Sequence, residues 1–294
     1  MLEHRHTYQR PTIVVFLDIR AAFDSLDRTV LRNCLLKKGV PEKFISILKA
    51  LYTNTPGRVR AYNHLSRLFH SSSGVSQGCP ISPFLFNFAI DDILETALMN
   101  VSNGGVDLLP GERLLDLEYA DDIVLLCDNA QAMQSALNQL AINVRKYGMC
   151  FAPSKCKVLL QDWLDSNPVL ILDGEQIEAV DKFVYLGSCI SAGDGVSDEI
   201  NASIVKARAA YANLGHLWHL RDFSLTVKGR IYNASVRAVL LYACKTWPHR
   251  VEDVRRLSLC LIIVVSEGLL TSSGNTILVM QRLGIVCSGA ETIM

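Results

Sequence analysis

Asp121 and Asp122 are adjacent acids set between two apolar runs, Leu114 to Ala120 and Ile123 to Cys127. Apolar strands separated by two polar residues read as a tight hairpin, which puts both carboxylates at its tip. Like charges held that close either keep a proton or share a cation. An Asp-Asp pair in a hairpin is also ordinary turn chemistry, so a third acid decides how much weight the cation carries. Asp18 ends the β-branched run Thr12 to Leu17, 103 residues before Asp121. If the two runs are neighbours in one sheet, three carboxylates converge from strand ends. Such a set suits a hard divalent ion, Mg²⁺ first and Mn²⁺ as its substitute, because these take oxygen ligands and retain water for a phosphate substrate. Two ions about 3.5 to 4 Å apart would stabilise the attacking and leaving oxygens of an in-line displacement at phosphorus, the chemistry of nucleotidyl transfer.

The elements that must position these acids follow from pattern and punctuation. Asp27 caps a helix whose apolar face is Val30, Leu31, Cys34 and Leu35, stopped by Gly39. Val40-Pro41 starts a second helix with Phe44, Ile47, Leu48 and Leu51 inward, ended by Thr55-Pro56-Gly57. Arg58 to Tyr62 alternates polar and apolar residues, and a strand from Leu65 to His70 returns after a turn at Asn63-His64. A Gly/Ser/Pro loop, Ser71 to Pro83, leads into a helix from Phe84 to Met99 that is apolar nearly all round and is therefore expected to be buried. Its acidic pair, Asp91-Asp92, reads as structural or solvated. Asp128 and Gln131 suggest a capping box for a helix with Met133, Ala136, Leu137, Leu140, Val144 and Tyr147 on one side. Strands follow at Val158 to Gln161, Val169 to Leu172 and Phe183 to Leu186, and from Asp198 the pattern is helical over 198–220, 226–242 and 249–260. The expected class is α+β, an antiparallel sheet backed by helices.

Half the 294 residues are apolar and mean hydropathy is +0.23, which excludes wholesale disorder. The longest apolar run, Leu257 to Val265, is too short to span a bilayer, and the polar start Met1 to His6 lacks a secretory apolar region, so no membrane association and an intracellular location are expected. Nine cysteines with no C-x-x-C pair read as reduced thiols. Net charge is zero, but residues 1–195 carry 18 Lys+Arg against 22 Asp+Glu, while residues 196–260 carry 10 against 5. An acidic segment that holds cations followed by a basic one that touches phosphates has this division; a solvated helix face explains the basic stretch equally well.

Three stretches carry a resemblance in order and spacing: Val15-Phe16-Leu17-Asp18-Ile19-Arg20-Ala21-Ala22-Phe23-Asp24, the loop Gly74-Val75-Ser76-Gln77-Gly78-Cys79-Pro80-Ile81-Ser82-Pro83, and Tyr119-Ala120-Asp121-Asp122. They resemble motifs A, B and C of a reverse transcriptase, most closely those of the non-LTR retrotransposon and group II intron branch. Phe151-Ala152-Pro153-Ser154-Lys155-Cys156-Lys157 is similar to motif D, and Phe183-Val184-Tyr185-Leu186-Gly187 to the primer-grip hairpin, motif E. The resemblance covers roughly residues 11 to 258. It implies a polymerase palm followed by a helical partial thumb, with RNA template, DNA primer and dNTP as partners. It further implies that Asp18 and Asp121 are metal ligands, with the Ile19 carbonyl assisting and Asp122 as the neighbouring acid. Phe23 stands where the family places the ring that blocks a nucleotide 2′-hydroxyl, which favours deoxynucleotides. Gln77, beside Gly78, stands near the nascent base pair; Lys155 is the candidate proton donor to pyrophosphate; Tyr185, Leu186 and Gly187 hold the primer. Lys206, Arg208, Arg221, Lys228, Arg230 and Arg237 resemble the duplex-holding start of a thumb.

The pattern also breaks. Only 17 residues precede Asp18, where the family builds fingers, and Ser76 stands where relatives carry Arg. The expected organisation is a palm over 1–195 without fingers, a thumb-like segment over 196–260, and a tail, 261–294, expected to result from a frame shift near residue 259. Fingers and endonuclease segments would belong to a parent polyprotein, and a eukaryotic retroelement would place the protein in the nucleus. A catalytically inactive palm-derived module that binds RNA or protein is the alternative. An RNA-dependent RNA polymerase is disfavoured by Phe23.

Overall fold

The computed structural model describes residues 1–53, 56–99, 101, 104–109, 112–164, 167–193, 195–220, 222–244 and 255–257. The tail 261–294, and the helix expected at 249–260 apart from 255–257, lie outside the described residues. The chain divides into two compact units, Met1–Asp181 and Lys182–Met294.

The first unit is built on strand β1, Thr12–Asp18, whose first six residues are buried. A β-branched run with no polar alternation is what a central strand covered on both faces requires. It takes the middle of a five-stranded sheet with β2 (Asp116–Tyr119), β3 (Asp122–Cys127), β4 (Lys157–Gln161) and β5 (Glu178–Ala179), in the order β5-β4-β1-β3-β2. All pairs are antiparallel except β4 with β5, a parallel pair at the edge of the sheet expected to be antiparallel. Val169 to Leu172 does not join it: Ile171–Leu172 forms a small separate ladder with Glu175–Gln176.

Helices cover one face of the sheet. Ile13, Val15 and Leu17 of β1 and Ile123 and Leu125 of β3 share a core with Phe86, Ala89, Ile90 and Ile93 of helix α3 (Ser82–Leu98) and with Met133, Leu137, Leu140 and Val144 of helix α4 (Ala130–Lys146). Helix α1 (Arg28–Lys37) begins where expected, with Asp27 Oδ1 accepting from the Thr29 and Val30 amides at 2.6 and 3.0 Å. The cap of α4 is Asn129 rather than Asp128: Asn129 has the extended backbone of a cap and accepts from the Gln131 and Ala132 amides, whereas Asp128 pairs with Arg113 at 2.7 Å.

Two expected apolar faces are corrected. In helix α2 (Glu42–Tyr52) the buried stripe is Ile45 and Tyr52 with Leu48 partly covered, while Phe44, Ile47 and Leu51 are each more than half exposed. Two stripes of i, i+3, i+7 type coexist in this helix, and periodicity alone does not choose between them. Phe84 and Phe88 of α3 are likewise exposed, because α3 packs on the sheet side and leaves its opposite face open.

The second unit starts with a hairpin, Lys182–Tyr185 and Ser188–Ser191, followed by helix α5 (Gly195–Asn213), a short helical turn Gly215–Trp218, and helix α6 (Leu225–Tyr232) running on through a π-helical turn, Asn233–Arg237. Ala207, Trp218, Tyr232, Val236 and Leu240 form its core. The helix expected over 198–220 is interrupted at Leu214, and across the interruption the Trp218 indole donates to the Tyr211 carbonyl at 2.9 Å and their rings stack.

Candidate active site

Strands β1 and β3 run antiparallel in a register that sets Asp18 directly opposite Asp122. Opposite residues share a face, with Cβ atoms about 4.5 to 5.5 Å apart. The β2–β3 hairpin closes with Tyr119 opposite Asp122, leaving Ala120 and Asp121 as a two-residue turn, and Ala120 takes the positive φ, 55°, that such turns demand. Asp121 is exposed at the tip. Burial, then the charges of Asp121 and Asp18, hold the Asp122 carboxyl above the usual carboxylate range. Asp122 thus feels the charges of both other acids at one end of the β1–β3 pair.

The loop before β4 is laced to the same strand end. The Ala152 amide donates to the Asp18 carbonyl and the Arg20 amide to the Cys150 carbonyl, both at 2.9 Å, forming a bridge between Ile19 and Phe151 that leaves the Ile19 carbonyl out of it. This brings Lys155 Nζ to 3.2 and 3.5 Å from the two Asp18 oxygens. Among the described residues no three His, Cys, Asp or Glu side chains are drawn together tightly enough to hold a metal ion. The donor set is nonetheless all hard oxygen, and it already attracts a cation, the Lys155 ammonium, onto Asp18. Those two properties fit a divalent ion.

Phe23, Gln77 and Gly78, far apart in sequence, line one cavity of about 450 Å³ together with Cys79, Pro80 and Ser82. Phe23 stacks on Phe86 with centroids 4.7 Å apart and planes at 14°, so the ring is both core and cavity wall. The motif B loop is fixed against the turn after β1: the Val75 amide donates to the Phe23 carbonyl at 2.7 Å, the Gly74 amide to the Leu26 carbonyl at 2.8 Å, and Ser73 Oγ to the Asp24 carbonyl at 2.9 Å. Gly74 has φ +77°, and a Cβ there would lie 2.6 Å from the carbonyl oxygens of Phe23 and Asp24. Only glycine lets the two segments approach this closely. Gln77 and Gly78 are exposed beyond this anchor.

Tyr185, Leu186 and Gly187 belong to the second unit. Leu186 and Gly187 form its hairpin turn with φ of 48° and 83°, and the tip is held by Tyr242 OH donating to the Leu186 carbonyl and Lys206 Nζ to the Gly187 carbonyl, each at 3.0 Å. Asp91 and Asp92 are structural: Asp92 accepts from Tyr147 OH at 2.6 Å and Lys37 at 2.9 Å, and Asp91 pairs with Lys38. The seven described cysteines are all free thiols.

Residues 2–190 match the family model for reverse transcriptase (RNA-dependent DNA polymerase). The chain belongs to the reverse transcriptase family. Over 244 residues this reverse transcriptase chain is 25% identical to the Pol polyprotein of the type-1 retrotransposable element R2 of Nasonia vitripennis, covering 76% of the chain and 23% of that protein. Over 205 residues it is 26% identical to the corresponding polyprotein of Popillia japonica, covering 65% of the chain and 34% of that protein. These relatives put it in the non-LTR branch, and it spans about a quarter to a third of their length. Among solved structures, the telomerase of Candida tropicalis in complex with a fragment of telomeric RNA superposes with a TM-score of 0.50 at 13% identity, covering 97% of the chain and 51% of telomerase. That likeness is one of fold, and with the mixed sheet and helices it supports the α+β polymerase class. Reverse transcriptases generally use divalent metal ions. No helix among the described residues is long and apolar enough to cross a membrane.

Sequence reasoning missed Arg28. Its Nε donates to the Gly74 carbonyl at 2.7 Å, Nη1 to the carbonyls of Tyr52 and Ser71 at 3.1 and 2.7 Å, and Nη2 to Ser71 Oγ at 3.0 Å. It holds the approach to the motif B loop from 46 positions away, and no periodicity or motif announces a bond of that kind.

Proposed function

We propose that this chain is the palm of an RNA-directed DNA polymerase, joining a primer 3′-OH to the α-phosphate of a dNTP with release of pyrophosphate, on an RNA or DNA template. The observation that carries the reading is the register of β1 with β3, which sets Asp18 against Asp122 beside the Asp121 turn. Two Mg²⁺ ions held by Asp18, Asp121, the Ile19 carbonyl and Asp122 would supply charge neutralisation at the attacking and leaving oxygens. Phe23 would close the cavity against a ribose 2′-OH, and Gln77 and Gly78 would meet the incoming base pair there. Lys155, held beside Asp18, would donate a proton to the leaving pyrophosphate. Tyr185, Leu186 and Gly187 would hold the primer, and the basic residues of the helical segment from 196 onward its duplex.

The division we propose is a palm over 1–195 and a thumb-like segment over 196–260, with further segments belonging to a parent polyprotein that acts in the nucleus of its host. The test is primer extension with purified chain, with and without an added fingers segment, and with Asp121→Asn as control. Extension that this substitution abolishes supports the enzyme. The second reading is a palm that only binds, and RNA binding with no extension in any arm would establish it.

A further inference from the structure

Arg28 opens helix α1, directly after the capping Asp27. A cation there faces the positive end of the helix dipole, and burial lowers the pKa of this guanidinium. Local electrostatics oppose an arginine at this position twice over, so its place in the fold answers to its contacts. None of the groups it donates to is a carboxylate: they are the carbonyls of Gly74, Tyr52 and Ser71 and the Ser71 hydroxyl.

The loop from Ser71 to Gly78 has little side-chain packing to hold it, since only Gly74 and Val75 in it are buried. Hydrogen bonds do the holding, and they divide by type. The Ser73 hydroxyl and the amides of Gly74 and Val75 donate to the turn after β1, at Asp24, Leu26 and Phe23. The carbonyls of Ser71 and Gly74 are taken instead by Arg28, and Ser71 Oγ, which accepts from Arg28, donates to the Ser73 carbonyl at 2.8 Å. A planar fork of several donors joins the end of helix α2 to this loop, which the single nitrogen of a lysine cannot reproduce. A second route leaves the same side chain: the guanidinium lies 4.9 Å from the centroid of the Tyr52 ring, and Tyr52 OH is 3.2 Å from Ser82 Oγ. Ser82 is a wall residue of the cavity that holds Phe23, Gln77 and Gly78. Arg28 does not line that cavity, yet both routes from it end on the wall or in the loop that bears Gln77.

We infer that Arg28 is a positioning residue for nucleotide binding: through the Gly74 carbonyl and the Tyr52 ring it fixes where Gln77, Gly78 and Ser82 stand against Phe23, without touching the nucleotide. That the occupant of the cavity is a dNTP rests on the polymerase reading; the fixing of the loop does not. A displacement of about 1 Å in groups that orient a reactant costs on the order of 100-fold in rate. A clamp on the backbone of the loop therefore acts on affinity and alignment, while the acids at the strand end keep their own geometry.

The experiment combines amide hydrogen exchange with nucleotide binding and primer extension, all on the full chain. Arg28→Lys keeps the charge and removes the fork; Ser71→Ala removes only the hydroxyl link and guards against a first variant that does not fold, with circular dichroism as the check on both. In Arg28→Lys the amides of Gly74 and Val75 should exchange about 10-fold faster, while those of Ile13 to Leu17 keep their protection. The KM for dNTP, and the Kd of a fluorescent dATP analogue, should rise about 10-fold with kcat changed less. Ser71→Ala should move the same quantities in the same direction by about two- to threefold. An arginine that served stability alone would instead lower kcat with the folded fraction and leave KM where it was. Wild-type exchange at Gly74 and Val75 in folded Arg28→Lys would overturn the inference, as would faster exchange with KM and Kd both unchanged. Faster exchange and weaker binding of the dATP analogue, in a chain that never extends a primer, would sink the polymerase reading and leave the role of Arg28 standing; extension by Arg28→Lys at an unchanged KM would do the reverse.

Discussion

Asp18 and Asp122 face each other across adjacent antiparallel strands, and Lys155 Nζ lies 3.2 Å from Asp18 Oδ1. Three acids and one lysine thus share a strand end, and the tests of this site follow from that grouping.

A divalent ion that binds the folded chain alone stabilises it. With Mg²⁺ at roughly 100 times its dissociation constant the gain is about 2.7 kcal/mol, which raises the melting temperature by roughly 5 to 10 °C in a unit of this size. Asp18→Asn should abolish that rise. An equal rise in the variant would remove Asp18 from the ligand set.

Lys155→Ala takes the competing ammonium off Asp18. Manganese affinity, read from the electron paramagnetic resonance of free Mn²⁺, should increase severalfold while primer extension slows. Unchanged Mn²⁺ affinity would mean the ion does not bind where the lysine sits.

Phe23→Ala opens the cavity wall and removes the stacking on Phe86. The ratio of kcat/KM for dNTP over rNTP should fall roughly 10- to 100-fold, at a stability cost from the lost ring pair of about 0.5 to 1.5 kcal/mol beyond burial. A preserved ratio assigns Phe23 to the core alone.

Gly74→Ala puts a methyl group 2.6 Å from two carbonyl oxygens at a φ of +77°. The backbone strain alone is worth about 1 to 3 kcal/mol, and relief by moving the loop should shift Gln77 and raise the KM for dNTP. Chemical denaturation and steady-state kinetics measure the two effects separately.

Asp92 gives the pH dependence. Burial pushes its carboxyl up, but hydrogen bonds from Tyr147 and Lys37 outweigh that and hold it below its ordinary value. A lowered folded pKa means the stabilisation is complete above the unfolded value, about 3.9, and is lost as pH falls through the folded one. Asp92→Asn should therefore cost roughly 1 to 3 kcal/mol at pH 7, with wild type and variant converging as the pH drops below about 4. A gap that persists into acid would point to packing rather than charge.

Composition and pattern made the strands around Asp18 and Asp121 legible, because a central strand buried on both faces must be an unbroken β-branched run, and a hairpin must break at its turn. Asp27, Gly39 and the motif B glycines were legible for the same reason: each answers a local backbone demand. The buried stripe of Glu42–Tyr52 and the cap of Ala130–Lys146 were not, since two stripes and two capping residues were locally equivalent and packing chose between them.

The sequence by itself determined that three acids end or join apolar strands, that an aromatic follows the first at a fixed distance, and that the family is that of reverse transcriptases. Only the tertiary structure decided that Asp18 lies opposite Asp122, that Lys155 reaches Asp18, and that Arg28 holds the loop before Gln77. Local chain propensities set the elements, but register and long-range hydrogen bonds depend on which apolar surfaces meet, and that is settled only when the whole core packs.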